Sequence, residues 1–104
     1  VCIIDILENE YFVGDISDKE TLEKFSKKVI SDYGHVDYLI NNAMPITRGI
    51  DNCTFEEFQY ALNVGVTAPF YLSKLFVPYF VWFVPYFFVV GLLYVNPYTV
   101  YHTI

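Results

Sequence analysis

Three short apolar runs in this chain each stop at residues able to hold a polar ligand. Val1-Cys2-Ile3-Ile4 ends at Asp5, Tyr11-Phe12-Val13 ends at Gly14-Asp15, and the run of Val36, Tyr38, Leu39 and Ile40 ends at Asn41-Asn42-Ala43. A carboxylate offers acceptors to hydroxyl or amino groups, and an asparagine side chain offers one acceptor and two donors. Set just outside the carboxyl ends of strands in an open α/β sheet, such groups line the crevice where ligands bind. The same residue types also make plain turns after strands. At Asp5 and at the asparagine pair both meanings stay open.

Composition narrows the classes of function. The 104 residues suffice for one small domain. Twelve acids against six bases give a net charge of −6 and no basic cluster, which argues against nucleic acid as a partner. Cys2 and Cys53 match neither a metal-ligand spacing nor a C-x-x-C redox pair, so they read as reduced thiols in a cytoplasmic protein, and no metal is expected. Charge is unevenly placed: every Asp, Glu, Lys and Arg lies at or before Lys74.

The charged part alternates between strand and helix patterns. Ser17-Asp18-Lys19-Glu20 has the S-x-x-E form of a capping box, which predicts a helix with Ser17 as its cap. Leu22, Phe25, Val29, Ile30 and Tyr33 then recur at helical spacing, with lysines and glutamates opposite, in pairs such as Glu20 with Lys24, and Gly34 ends the run. Val36–Ile40 is expected to be a buried strand. Thr54-Phe55-Glu56-Glu57 is a second capping box and predicts another helix. Phe55, Phe58, Leu62, Val66, Phe70 and Leu72 supply its apolar side, and it should run to about Phe76 or Phe80 with a kink at Pro69. Arg48, the one arginine, reads as an exposed loop residue or as a group for a phosphate or carboxylate. Strand, strand, helix and strand with short links predict an α/β fold: a partial Rossmann-type parallel sheet with flanking helices.

Taken in order, VCIID, FVGDIS, the amphipathic helix, VDYLINNA and TFEEFQYALNVGVTAPFYLSKL resemble the middle of a short-chain dehydrogenase/reductase. The resemblance implies a nicotinamide dinucleotide, a small alcohol or carbonyl substrate, and hydride transfer between them. It implies that Asp5 accepts from the ribose hydroxyls and so favours NAD over NADP, and that Asp15, followed by Ile16, holds the adenine. Asn41, Asn42 and Ala43 would line the dinucleotide cleft. The family's long helix commonly packs in dimers, which makes helix 54–76 a candidate homo-oligomer surface.

The departures are equally specific. The phosphate-binding glycines would lie before Val1, Met44 stands where the NNAG motif has glycine, and alignment on Ala68-Pro69 puts Gly65 at the catalytic asparagine, with Asn63 two residues earlier. The chemistry needs a tyrosine with a lysine one helical turn on to lower its pKa. None of the ten tyrosines has lysine four residues on, and Tyr71 precedes Lys74 by three. No catalytic residue is therefore assigned, and the chain alone is expected to be inactive and poor at holding the cofactor.

Residues 1–80 thus read as an incomplete NAD(P)-binding Rossmann-type domain, and 81–104 as an apolar, aromatic-rich tail. Residues 75–95 lack formal charge and are long enough to cross a bilayer as a helix, although Pro78 and Pro85 interrupt them. Phe76-Val77-Pro78-Tyr79-Phe80 recurs as Phe83-Val84-Pro85-Tyr86-Phe87. A reading frame that departs from the family after Lys74 and a membrane-anchored or partner-binding module are the two accounts of this tail.

Overall fold

The structure is a computed structural model that describes residues 1–45 and 48–80. The tail 81–104, with its repeat and His102, and the part of the charge-free run beyond residue 80 lie outside the described residues. Among the described residues no helix is long and apolar enough to cross a membrane.

Two short parallel strands begin the chain, β1 (Ile4–Asp5) and β2 (Phe12–Val13), with Ile4 opposite Phe12 and Asp5 opposite Val13. A parallel pair normally needs a crossover of a dozen residues. Here the link is short because Asn9 acts as its scaffold. Its Oδ1 accepts from the amides of Tyr11 and Phe12, both at 2.9 Å, and its Nδ2 donates to the carbonyls of Leu7 and Phe12 at 3.1 and 2.9 Å. The Gly14 amide then donates to the Asp5 carbonyl at 2.9 Å, which extends the pairing to the polar ends of both strands.

Helix α1 (Lys19–Tyr33) follows, and its cap differs from the expectation. Asp18, not Ser17, is the N-cap: its Oδ2 accepts from the Thr21 amide at 3.0 Å and the Thr21 hydroxyl at 2.7 Å. An aspartate caps at least as well as a serine, and the sequence offered both in adjacent places. Gly34 closes the helix in the left-handed region with φ 75°. The ion pairs along its exposed side are Lys19 with Glu23 at 3.9 Å and Lys28 with Asp32 at 3.0 Å.

Val36 pairs in parallel with Phe80, its amide donating to the Tyr79 carbonyl at 2.9 Å. The expected strand over Val36–Ile40 does not extend further among the described residues. Val36 and Leu39 are nevertheless buried, whereas Tyr38 is exposed, so the apolar pattern located part of the core while overstating both the burial and the ladder. A strand depends on partners alongside it as well as on its own residues.

The second helix is three segments in one run: α2 (Phe55–Leu62), a π turn over Asn63–Thr67, and α3 (Ala68–Phe76). The capping box at Thr54 is complete, with Glu57 N donating to Thr54 Oγ1 at 3.1 Å and Thr54 N donating to Glu57 Oε2 at 3.0 Å. Where a kink was expected, the helix widens into a π turn. Pro69 lacks an amide and would crowd the Gly65 carbonyl, and the wider turn, in which the Ala68 amide reaches back to the Asn63 carbonyl, makes room for its ring. A 3-10 turn (Val77–Tyr79) ends the run.

The π turn also changes which stripe is buried. Val64, Ala68, Leu72 and Phe76 face inward, whereas Phe55, Phe58, Leu62, Val66 and Phe70 are exposed, so the expected apolar side is corrected at those positions. The core closes around Phe25 of α1, whose ring meets Phe12 at 5.5 Å and Phe76 at 6.1 Å edge to face. Tyr71 ties α3 to α1 by donating to Glu23 Oε1 at 3.1 Å.

Candidate functional site

The carboxyl ends of β1 and β2 open onto a cleft of about 610 Å³. Asp5 and Ile6 line it from β1, Gly14, Asp15 and Ile16 from the end of β2, and Asn42, Ala43 and Met44 from the segment after the third apolar run. Val64 and Tyr60 close it from the long helix. Asn41 lines a smaller adjoining pocket of about 40 Å³, which shares Ile4, Ile16, Asn42, Ala43 and Val64 with the main cleft. The structure therefore gathers Asp5, Asp15, Ile16, Asn41, Asn42 and Ala43 along one edge of the sheet, although more than thirty positions separate the first from the last in sequence.

Local geometry fixes each group. Asp5 Oδ1 accepts from the Leu7 amide at 2.9 Å. Asp15 Oδ1 accepts from the Ser17 amide at 2.9 Å, and Asp15 Oδ2 accepts from the Tyr60 hydroxyl at 3.1 Å. Burial and the nearby Asp18 work to raise the Asp15 carboxyl, but the hydrogen bonds from Ser17 and Tyr60 outweigh them and hold it below the usual carboxylate range. Tyr60 moves the opposite way: desolvation first, then its bond to the Asp15 anion, pushes the hydroxyl up. At neutral pH the pair is a phenol donating to a carboxylate.

Gly14 allows this arrangement. A Cβ at that position would lie 2.5 Å from Thr21 Cγ2 and 3.0 Å from Phe12 Cε1, so a side chain cannot fit between β2 and the first turn of α1. The tight corner delivers Asp15 into the cleft.

The polar groups of the cleft are chiefly hydrogen-bond acceptors. Two carboxylates and an amide can meet hydroxyl and amino groups, Ile6, Ile16 and Val64 give apolar walls, and among the described residues no lysine or arginine lines it. Met44 is 69% exposed and projects at the rim where the NNAG motif carries no side chain.

Residues weighed for other roles lie elsewhere. Asn63 faces a different hollow, with Ser17, Lys19, Thr67 and Tyr71, and its Oδ1 accepts from Gln59 Nε2 at 3.5 Å. The Tyr71 hydroxyl is engaged by Glu23, with the Lys19 ammonium 5.7 Å from its ring centre, so Tyr71 and Lys74 do not form an acid/base pair in the cleft. Arg48 Nε lies 3.7 Å from Glu57 Oε1 and is largely exposed. A second hollow of about 530 Å³ beside Arg48, Ile50, Cys53 and Phe58 has no carboxylate or amide side chain in its lining. Tyr60 is the site residue that the sequence did not disclose: it sits on neither apolar stripe of its helix, and no local motif marks a residue whose partner lies 45 positions earlier.

Residues 5–82 match the family described as short chain dehydrogenase. Sepiapterin reductase of Chlorobaculum tepidum is 33% identical over 62 residues, covering 59% of this chain and 25% of that protein. An apo SCOR enzyme from Clostridium thermocellum superimposes with a TM-score of 0.65 at 37% identity, covering 71% of this chain and 36% of that one. A short chain dehydrogenase from Burkholderia cenocepacia, solved with NADP, shares the fold with a TM-score of 0.61 at 24% identity, over 67% of this chain and 29% of its own. The chain spans about a quarter to a third of the length of the curated relatives it matches.

Proposed function

The chain belongs to the short-chain dehydrogenase family, and from that premise we propose that its cleft takes the adenosine half of a nicotinamide dinucleotide, NAD in preference to NADP. The observation that carries this is the convergence of Asp5 and Asp15 on one cleft that no cation lines. A ribose with free hydroxyls can donate to Asp5, while a 2′-phosphate would meet like charge with nothing to offset it. Asp15 would accept from the adenine amino group, Ile16 and Ala43 would flank the base, and Asn41 with Asn42 would continue the cleft along the sheet edge.

When bound, the dinucleotide supplies a hydride donor or acceptor for an alcohol or carbonyl carbon. This chain's own residues bind and orient it. The 104 residues hold no Tyr-x-x-x-Lys pair, so the proposal includes no turnover by this chain alone. The division at residue 80, a reducing cytoplasmic setting and pairing with a second copy through 54–76 belong to the same reading. The unpaired thiols Cys2 and Cys53 support the setting, and the exposed Phe55, Phe58 and Phe70 support the pairing.

The test is an NMR titration of the 104-residue chain with adenosine and with adenosine 2′-monophosphate. Adenosine should shift the amides of Asp5, Asp15 and Asn42, and the 2′-phosphate should bind at least ~10-fold more weakly. Equal binding of the two would remove the preference for NAD. Oxidation of NADH by the purified chain with a carbonyl substrate would overturn the inactive reading.

A further inference from the structure

We propose that Tyr60 is a positioning residue that sets the purine preference of this cleft: by holding one oxygen of Asp15 from across the cleft, it keeps the carboxylate an acceptor facing the ligand, so that a purine with an exocyclic amino group is taken and one with an exocyclic keto oxygen is refused. The inference rests on the reading of the cleft as an adenosine site.

The two oxygens of Asp15 are held by two different parts of the chain. Ser17 donates to Oδ1 from the next turn of the same loop, and Tyr60 donates to Oδ2 from a helix 45 positions later. Each carboxylate oxygen keeps a further lone pair, so the group still accepts from a ligand N–H. Without the phenol, the carboxylate would be pinned at one oxygen only and free to turn about its last torsion. It would also be protonated more readily, and a protonated carboxyl can donate to a keto oxygen. The raised pKa of Tyr60 keeps that phenol a donor through neutral pH. Because α2 buries none of its side chains, the bond is not a by-product of core packing. Phenylalanine keeps the ring and removes only the hydroxyl, so Tyr60→Phe is a direct probe.

The experiment compares adenosine 5′-monophosphate with inosine 5′-monophosphate in NMR titrations of the full 104-residue chain. The unaltered chain should bind the adenine nucleotide roughly 10-fold more tightly, and Tyr60→Phe should narrow the ratio to within about 3-fold, chiefly through weaker binding of the adenine nucleotide. A second pair of variants reads the same role without relying on that one. In Asp15→Asn the Ser17 amide keeps the side-chain oxygen, the Tyr60 hydroxyl accepts one amide N–H, and the other N–H is left for the ligand, which should reverse the preference. Adding Tyr60→Phe to Asp15→Asn should leave the amide held at its oxygen alone, with its NH2 no longer fixed, and bring the ratio toward one. If Tyr60→Phe keeps the full discrimination, or the double variant keeps the reversed preference, the role of Tyr60 is overturned while the adenosine reading stands. If the unaltered chain binds both nucleotides alike, or neither, the reading of Asp15 fails and takes this inference with it.

Discussion

A methyl group added at Gly14 would stand 2.5 Å from Thr21 Cγ2. Thr21 is β-branched, and its hydroxyl and amide are both committed to Asp18, at 2.7 and 3.0 Å, so it cannot turn away without opening the cap of α1. Phe12 is equally constrained, since its ring packs on Phe25. Gly14→Ala should therefore cost about 1–3 kcal/mol, read as a lower urea midpoint with an unchanged slope. It should also weaken adenosine binding, because the corner that Gly14 makes is what sets Asp15 into the cleft. A variant as stable as the parent would show that the corner has slack. The sequence disclosed the carboxylates at this scale because strand ends and acidic residues are local signals. It did not disclose Tyr60, whose meaning comes only from a partner brought close by the fold.

Among the elements, the caps and the glycine stop were legible because they are written in four or five consecutive residues. Thr54 with Glu57 and the left-handed Gly34 follow the expectation. The cap of α1 moved by one position, since Ser17 and Asp18 compete for the same role and the final geometry of the loop decides between them. With Ser17 donating its amide to Asp15, Asp18 is left to take the Thr21 amide. Asp18→Ala should then lower the melting temperature by several degrees, whereas Ser17→Ala should leave it nearly unchanged. The reverse order would restore Ser17 as the cap. The π turn and the short pairing at Val36 were less legible for a shared reason. A proline predicts strain in a helix but not how the strain is relieved, and an apolar run predicts burial but not which strand will pair with it.

On the scale of the whole chain, the helix run from 55 to 76 carries two apolar stripes and the fold covers one. Val64, Ala68, Leu72 and Phe76 join the core with Phe25, while Phe55, Phe58 and Phe70 stay 76%, 56% and 61% exposed. These exposed rings are the surface that the proposed pairing would use, with a second copy of the chain as the occupant. The two stripes separate stability from assembly. Phe25→Ala removes the ring on which Tyr11, Phe12 and Phe76 converge, and a cavity of that kind costs about 3–5 kcal/mol. Phe58 is not among the described residues packed on the core, so at dilutions where parent and variant are both monomers the melting transition of Phe58→Asp should stay within about 0.5 kcal/mol of the parent. The charge would nonetheless be buried against its like across a twofold interface, where residue meets equivalent surface and an unpaired carboxylate is strongly unfavourable. Sedimentation velocity should accordingly show a dimer for the parent chain and a monomer for Phe58→Asp. A parent chain that sediments as a monomer over the whole accessible concentration range would assign the exposed rings to some other partner.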